Sequence, residues 1–294
     1  MQSLSLAELN SADPAAFVAA LGDIYEHSPW VAEAVWSRRP FASLAALHEA
    51  MATAVRGAGG ERQLALIRAH PDLAGKAARA GDLTADSTAE QASAGLDQLS
   101  DEEYARFQAL NTNYREKFGF PFIICVRRHT KDSILRQFRH RFENEPDEER
   151  NAALAEIGHI AALRLDQLFA DGGLGLNGRL STHVLDTYAG RPAQGLWIGL
   201  RELSDYDAPR VIARVATNAD GRTDAPLIHG RPVPIGRYEL LFALGDYFTE
   251  RGVPLADPPF LDVVPVRFAV SEPEGHYHVP LLATPWSYST YRGS

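Results

Sequence analysis

The chain has 294 residues and a formal net charge of −9, with 45% hydrophobic and 23% charged residues. This length accommodates two domains, and the composition is that of a globular protein. The acidic balance argues against a nucleic-acid partner, which usually selects a basic surface. The single cysteine, Cys125, excludes an intrachain disulfide framework and predicts a reducing, cytoplasmic location.

The sequence predicts neither a membrane span nor a targeting segment. Purely apolar stretches such as Phe122–Val126 are far too short to cross a bilayer. The opening residues, "MQSLSLAELNSADP", lack the basic and apolar regions of a signal peptide. The final residues are not a peroxisomal address. We therefore expect no membrane partner.

The first half has helical periodicity, from Ser11 to about Ala170. Asp13 followed by Pro14 is typical of a helix start. Ser100 and Glu103 have capping-box spacing. Two further helix starts are predicted, at Ser43 and near Pro146. Two apolar stripes have helical spacing: one is Phe17, Leu21, Ile24 and Tyr25, and the other includes Ile157, Ala161, Leu165 and Leu168. Residues 1–169 are thus predicted to form an all-α helical bundle.

The pattern changes after "ADGGLGLNGR", residues 170–179, whose four glycines predict a flexible linker. From residue 180 the apolar period is two, as in "VVPVRFAV". "VIARVA" reads as a strand before a turn at 218–221, and "TYAGRP" as another turn. "RYELLFALGDY" reads as a strand. Short strands at this spacing predict a β-sandwich over 180–294, so the fold class is multidomain, all-α plus all-β.

Three histidines lie at strand-like positions of the second half. His183 shares a face with Ser181, and His276 shares one with His278. A zinc site is one interpretation, although no carboxylate or cysteine ligand stands nearby. The other is that each histidine is an ordinary half-buried hydrogen-bonding residue. Arg222, in "NADGRTD", is by itself typical of a solvated turn.

Four segments of this half together resemble the 5-hydroxyisourate hydrolases, the transthyretin-related enzymes of urate breakdown. They are "LSTHVLD", "DGR", "HYHVPLL" and "YSTYRGS", within Leu180–Ser294. The resemblance implies a transthyretin-like β-sandwich that forms tetramers, with sites where subunits meet and no metal or cofactor. It also implies a catalytic set and a tail that binds substrate: His183, Arg222, His278 and Ser294, with Tyr291 and Arg292 nearby.

These residue types suit the opening of a cyclic ureide. The reaction needs an activated water and stabilisation of a developing oxyanion. A neutral histidine can take the proton, and either His183 or His278 fits that role. Arg222 can hold the polar substrate and keep a neighbouring histidine neutral by repulsion.

The helical half contains three candidates that each also have a structural interpretation. His70, in "IRAHPDLAGK", stands at a helix end before Pro71, where a histidine favourably contacts the helix dipole. Ser87 and Glu90, in "ADSTAEQ", have the spacing of a capping box. Arg164 lies on or beside an apolar stripe, where it either extends to the surface or binds an anion.

The combination of "HPDLAGK", "S-x-x-EQ" and "FGFPFIIC" resembles the 2-oxo-4-hydroxy-4-carboxy-5-ureidoimidazoline (OHCU) decarboxylases. The resemblance implies that His70, held by Glu90, delivers a proton to one face of a carbanion, without a metal or cofactor, giving (S)-allantoin. It implies that the following positions bind the substrate: Pro71, Ser87, Gln91, Phe122, Ile123, Ile124 and Arg164.

The two resemblances agree, because the expected product of the β half is the expected substrate of the α half. We expect a bifunctional enzyme acting on 5-hydroxyisourate and OHCU, with a homo-oligomer formed through the β domains. Two alternatives stay open at this point. One is a transthyretin-like module that binds a small ligand, with a helical oligomerisation domain. The other is a chain in which only one domain is active.

Overall fold

The computed structural model describes residues 4–75, 83–169, 173–206 and 208–293. The chain forms two compact units, Met1–Arg127 with Ile134–Leu176 and Arg128–Ser133 with Asn177–Ser294. The predicted succession of an all-α half and an all-β half is confirmed. No helix within the described residues is both long and apolar enough to cross a membrane.

The described part of the helical half contains nine α-helices and two short 3-10 turns. The helices are α1 (Leu6–Ser11), α2 (Pro14–Leu21), α3 (Trp30–Val35), α4 (Leu44–Arg56), α5 (Gly60–Arg68), α6 (Ala85–Ser93), α7 (Asp101–Phe118), α8 (Lys131–Phe142) and α9 (Pro146–Leu168), and the turns are Trp36–Arg38 and Val126–Arg128. The predicted helix starts are confirmed. Asp13 caps α2 and Ser43 caps α4, while Ser100 and Glu103 form both bonds of a capping box on α7.

The helical core is built around α9 and a group of aromatic rings. The predicted stripe on α9 is buried from Ile157 to Leu165 and half-buried at Leu168, and α9 packs against α4 and α5. Tyr114, Phe122 and Phe138 are buried together. The rings of Phe122 and Phe138 stack with centroids 3.8 Å apart, and Tyr114 lies edge-on to Phe122 at 5.2 Å. This cluster fixes the segment after α7 that forms one wall of the site described below.

The β half is a two-layer sandwich, as predicted. Its strands are β1 (Gly178–Ser181), β2 (Val184–Asp186), β3 (Arg191–Pro192), β4 (Trp197–Leu203), β5 (Arg210–Ala216), β6 (Ile228–Arg231), β7 (Gly236–Ala243), β8 (Val263–Val270), β9 (His276–His278), β10 (Leu281–Ala283) and β11 (Tyr288–Thr290). One layer has the order β5-β4-β7-β8, and the other is split into β6-β1-β9 and β11-β10-β2-β3. Strands β1 and β9 run parallel, as do β2 and β10.

One predicted strand is shorter than expected. The strand in "RYELLFALGDY" ends at Ala243, and Leu244–Glu250 forms a helix, α10. Leu244, Tyr247 and Phe248 recur at helical spacing and are all buried. This burial outweighs the strand-like continuation of the pattern.

Part of the predicted linker belongs to the two units. Residues 170–172 lie outside the described residues. Leu174 and Leu176 pack against the helical core, and the backbone N–H of Leu174 donates to Asp166 at 3.0 Å. Gly178 already belongs to β1, where an added Cβ would lie 2.0 Å from the carbonyl oxygen of Pro273. The boundaries at 169 and 180 stay a prediction.

Candidate active sites

The helical unit contains an open pocket of about 360 Å³. All nine positions expected from the sequence line it, together with apolar side chains, and they come from four separate stretches of chain: His70, Pro71, Ser87, Glu90, Gln91, Phe122, Ile123, Ile124 and Arg164, with Leu73, Val126 and Ile160. The helices α5, α6 and α9 pack around the segment after α7. This packing brings together residues that lie more than 90 positions apart in the sequence.

His70 is a buried, neutral imidazole in the wall of this pocket. Its Nδ1–H donates to the carbonyl oxygen of Leu66 at 3.0 Å, so Nε2 carries the lone pair. Nε2 is buried and has no hydrogen-bond partner among the residues that the structure describes. Burial lowers the pKa of His70 to about 4, and Arg164 acts in the same direction, although the Leu66 bond and Glu26 oppose both.

Arg164 is also buried, at 6% exposure, so the interpretation in which it extends to the surface is wrong. Its Nε and Nη2 donate to the two oxygens of Glu90 at 2.9 and 3.0 Å. Its Nη1 donates to Glu26 at 2.8 Å and to the carbonyl oxygen of Asp23 at 3.3 Å. These contacts use all but one of the five guanidinium N–H groups. One N–H on Nη2 is left for a ligand.

The support of His70 therefore differs from the expected one. The sequence resemblance implies that Glu90 holds His70, whereas the carbonyl of Leu66 holds the ring and Arg164 holds Glu90. Glu90 still lines the same pocket as His70. A bidentate pair with a guanidinium fixes the direction of a carboxylate.

Ser87 does not cap a helix, so the capping-box interpretation is wrong. Helix α6 begins two residues earlier, and Thr84 is its N-cap, accepting from the backbone N–H of Ser87 at 3.2 Å. The Ser87 hydroxyl instead donates to Glu26 at 3.3 Å, and the Thr84 hydroxyl donates to the same oxygen at 3.1 Å.

Glu26 is a buried member of this site that the sequence analysis missed. Burial disfavours its charged form, but Arg164 outweighs that effect, and the pKa of Glu26 is lowered overall. The residue follows α2 and belongs to no motif. One available signal is its position, directly after the apolar stripe that ends in Tyr25, because a charge beside such a stripe needs a partner.

Polar side chains fix the other wall of the pocket from behind. Arg141 Nη1 donates to the carbonyl oxygen of Ile123 at 2.6 Å, and the backbone N–H of Cys125 donates to Glu156 at 2.8 Å. Arg141 is itself paired with Glu149, which is fully buried and also accepts from the Tyr114 hydroxyl. The backbone of 122–124 is therefore held from behind.

Gln91 is oriented by the turn after His70. Its Oε1 accepts from the backbone N–H of Ala74 at 2.8 Å. The amide NH₂ group is thus the end of this side chain that can donate to a ligand. Gln91 lines the pocket with Ser87, so the two polar groups lie on the same wall.

The β unit brings three of its predicted residues together. His183 lies between β1 and β2, and its backbone pairs with that of Arg222 in an antiparallel bridge. Gly221, with φ +71°, allows this approach, because a Cβ there would lie 2.3 Å from the carbonyl oxygen of Val184. The parallel pairing of β1 with β9 sets Ser181 beside His278.

Both histidines are biased toward the neutral form. Burial, and then the charge of Arg222, lower the pKa of His183. Burial, Arg222 and His183 lower the pKa of His278. The Ser181 hydroxyl lies 2.9 Å from His278 Nδ1 and 3.3 Å from Nε2 of His276, an exposed neighbour. Each imidazole can therefore accept a proton from a water.

The tail packs against this site. The backbone N–H of Gly293 donates to the carbonyl oxygen of His278 at 2.8 Å, and a Cβ on Gly293 would lie 2.6 Å from His278 Cδ2. The guanidinium of Arg292 lies 5.0 Å from the ring centre of Tyr277. An open cavity of about 670 Å³ is lined in part by His278, Tyr291 and Arg292. The predicted catalytic Ser294 lies outside the described residues.

A zinc site is one interpretation of the three histidines in the β half. Within the described parts of the chain, no three His, Cys, Asp or Glu side chains group as they would around a metal ion.

Comparisons with known proteins divide the chain in the same way. The family described as "OHCU decarboxylase" matches residues 10–166, and the "HIUase/Transthyretin family" matches residues 180–293. An OHCU decarboxylase of Halalkalicoccus jeotgali is 46% identical over 57% of this chain and 93% of its own length. "5-Hydroxyisourate hydrolase 2" of Rhizobium meliloti is 56% identical over 40% of this chain and 98% of its own.

A solved structure is similar to both halves at once. The crystal structure of an (S)-allantoin synthase is 36% identical, with a TM-score of 0.52, and the match covers 99% of this chain and all of that one. The chain is therefore a fusion of two enzyme domains. It belongs to the OHCU decarboxylase family through its helical half and to the HIUase/transthyretin family through its β half.

The close approach of Gly293 to His278 gives a first prediction. Gly293→Ala should lower hydrolysis of 5-hydroxyisourate by on the order of 10- to 100-fold, because the tail or the imidazole must move. Decarboxylation of OHCU should not change. The ultraviolet decay of each substrate measures this, with Gly199→Ala as control, since a Cβ at Gly199 meets its neighbours at ordinary distances of 3.6 Å or more. Full hydrolysis by Gly293→Ala would show that the contact is dispensable.

The buried pair behind Ile123 gives a second prediction. Arg141→Met should destabilise the helical unit by about 3–5 kcal/mol, because it leaves the carboxylate of Glu149 buried without its cation. Urea unfolding followed by helical circular dichroism measures the loss. The double variant Arg141→Met/Glu149→Leu should recover much of it. Equal stability of the two variants would contradict this account.

Proposed function

We propose that this chain carries out two consecutive steps. Its β half hydrolyses 5-hydroxyisourate to OHCU, and its helical half decarboxylates OHCU to (S)-allantoin. The observation that carries the proposal is that one chain matches both families. It is supported by the grouping of nine expected positions around one pocket of the helical half and by the proximity of His183 and Arg222 in the β half.

In the β half, a water attacks the cyclic substrate after losing a proton to an imidazole. His183 and His278 both suit this role, since burial and Arg222 hold them in the neutral form. Arg222 binds the polar substrate and the negative charge that develops on its oxygen. Ser181 acts as a positioning residue, because its hydroxyl contacts His278 Nδ1 and so orients that ring.

In the helical half, the carboxylate of OHCU leaves as CO₂, and the electron pair of the broken bond stays on the conjugated ring. One proton must then reach a ring carbon to give the neutral product. His70 Nε2 is the group that delivers it, since Nδ1 is committed to Leu66. Delivery from one wall of the pocket produces a single enantiomer.

His70 must first acquire that proton, because it is neutral in the free enzyme. Near it, one guanidinium faces the carboxylates of both Glu26 and Glu90. A further carboxylate from the substrate adds negative charge beside an imidazole that is already buried. This favours the imidazolium, so the anionic substrate and a proton bind together.

Glu26 serves as a positioning residue in this scheme. It binds Arg164 on the side opposite Glu90 and accepts from Ser87, a predicted substrate contact. The remaining Arg164 N–H, the Gln91 amide and the backbone near Ile123 would hold the substrate anion.

The β half is proposed to act as a tetramer in which a second copy completes each site. Arg222 is exposed and Tyr291 is 59% exposed, so the single chain leaves this site open. A module that only carries an apolar ligand would not need this polar set, which disfavours the binding-module alternative. A cytoplasmic location stays a prediction that rests on the single cysteine.

The division of labour gives a third prediction. His70→Ala should lower decarboxylation by about 100-fold or more and leave ring opening unchanged, and His183→Ala should do the reverse. Freshly generated 5-hydroxyisourate is followed by its ultraviolet decay and by the circular dichroism of the allantoin formed. Loss of the same step in both variants would contradict the assignment, and no acceleration by the wild type would remove the enzymatic function altogether.

The coupled binding of anion and proton gives a fourth prediction. The pKa of free His70, about 4, should rise when an anion binds. Between the free and bound values, the affinity for a stable carboxylate analogue of OHCU should therefore fall by up to about tenfold for each unit rise in pH. Calorimetry between about pH 5 and pH 7 in pairs of buffers of different ionisation enthalpy should detect the proton taken up.

Two variants test the origin of this proton. His70→Asn should bind the analogue without proton uptake, because the titrating nitrogen is gone. Glu26→Gln should bind it more tightly and with a weaker pH dependence, because one of the carboxylates facing Arg164 is neutralised. Buffer-independent binding heat in the wild-type protein would refute the coupling.

A further inference from the structure

The helical unit has a second pocket, which shares no lining residue with the His70 pocket. It is open and has a volume of about 1070 Å³. It lies among helices α4, α5 and α9, and Tyr25 also lines it. We infer that this pocket is a binding site for a neutral heterocycle rich in amide groups, such as a cyclic ureide or a pyrimidinedione. Polar atoms of Tyr25, His48, Gln63 and Asn151 would recognise it.

Tyr25 provides the first observation that points to a ligand. The residue is 2% exposed, it lines the pocket, and its hydroxyl has no hydrogen-bond partner within the described part of the chain. A buried hydroxyl without a partner destabilises the folded state, and native proteins rarely keep one. A ligand with a carbonyl or an N–H group at this position satisfies it.

Gly158 provides a second, independent observation. It lies inside α9, where glycine is less favourable than alanine. An added Cβ would meet nothing within 4 Å outside the helix itself, so close packing within the unit does not require glycine here. The missing side chain instead leaves room in the pocket wall.

The hydrogen bonds already made decide which chemical groups the pocket presents. His48 Nε2–H donates to the carbonyl oxygen of Gly158 at 3.0 Å, so Nδ1 is left as an acceptor. The Gln63 amide nitrogen donates to the carbonyl oxygens of Val55 and Arg56 at 3.0 and 3.1 Å, so Oε1 is left as an acceptor. These acceptors match N–H donors on a ligand.

The charge of the lining favours a neutral ligand over an ion. Glu49 and Arg56 line the pocket and pair with each other. Tyr25 and Asn151 can donate or accept, which matches a carbonyl group beside an N–H. Apolar side chains flank these groups and suit the faces of a flat ring: Ala52, Val55, Leu154 and Ala155.

Direct binding to the full chain tests this inference without any assay of activity. The probes are uracil, hydantoin and orotate, the last being uracil with a carboxylate added. Calorimetry or ligand-observed NMR should show saturable binding of uracil or hydantoin and weaker binding of orotate. No binding of any probe at millimolar concentration, or a preference for orotate, overturns the proposal.

Two substitutions locate the binding. Tyr25→Phe should weaken it by about tenfold, because one hydrogen bond to the ligand is lost, and Tyr188→Phe, at an exposed tyrosine of the β unit, should not. Gly158→Ala should weaken it by about tenfold or more because the methyl group enters the pocket, while raising the thermal midpoint of the helical unit because alanine favours helix. The midpoint shows that lost binding is not lost folding.

A third variant separates the two pockets. His70→Ala should bind the neutral probe as the wild type does. Loss of binding in this variant would place the probe in the catalytic pocket and overturn the inference. Unchanged affinity of Gly158→Ala for the neutral probe would also overturn the inference, whether or not the oligomeric state of this variant changes.

Discussion

The helical site depends on the burial of one guanidinium. A charge removed from water is tolerated only with close partners, and Arg164 has a carboxylate on each side and a backbone carbonyl. Meeting that requirement brings the segment after α2, the second half of α6 and the C-terminal part of α9 to one place. The orientation of Glu90 and the hydrogen bond from the Ser87 hydroxyl to Glu26 both follow from it.

The two units prepare neutral imidazoles in different ways. His70 is almost fully enclosed, so loss of hydration dominates, and only one of its nitrogens is available. His183 and His278 are half-buried, and a nearby arginine adds to a weaker effect of burial. The first arrangement makes protonation depend on what occupies the pocket. The second leaves two neutral imidazoles in a site that is open to solvent.

Periodicity and helix caps predicted the architecture from the sequence because they are local. The strand β8 and the starts of α2, α4 and α7 are fixed by residues within a few positions of one another. Family motifs predicted the residues of the His70 pocket. The direction of each interaction was not predictable, because it depends on contacts across the fold. Ser87 has capping-box spacing, yet its hydroxyl bonds to Glu26, 61 residues earlier.

The contact between Gly293 and His278 also couples this histidine to the tail of the chain. The backbone N–H of Gly293 donates to the carbonyl oxygen of His278, while the hydroxyl of Ser181 contacts the ring of the same residue. His278 is thus held by two separate stretches of chain, one at its backbone and one at its ring. A shift of the tail backbone therefore reaches this imidazole through main-chain atoms, whatever side chains the tail carries.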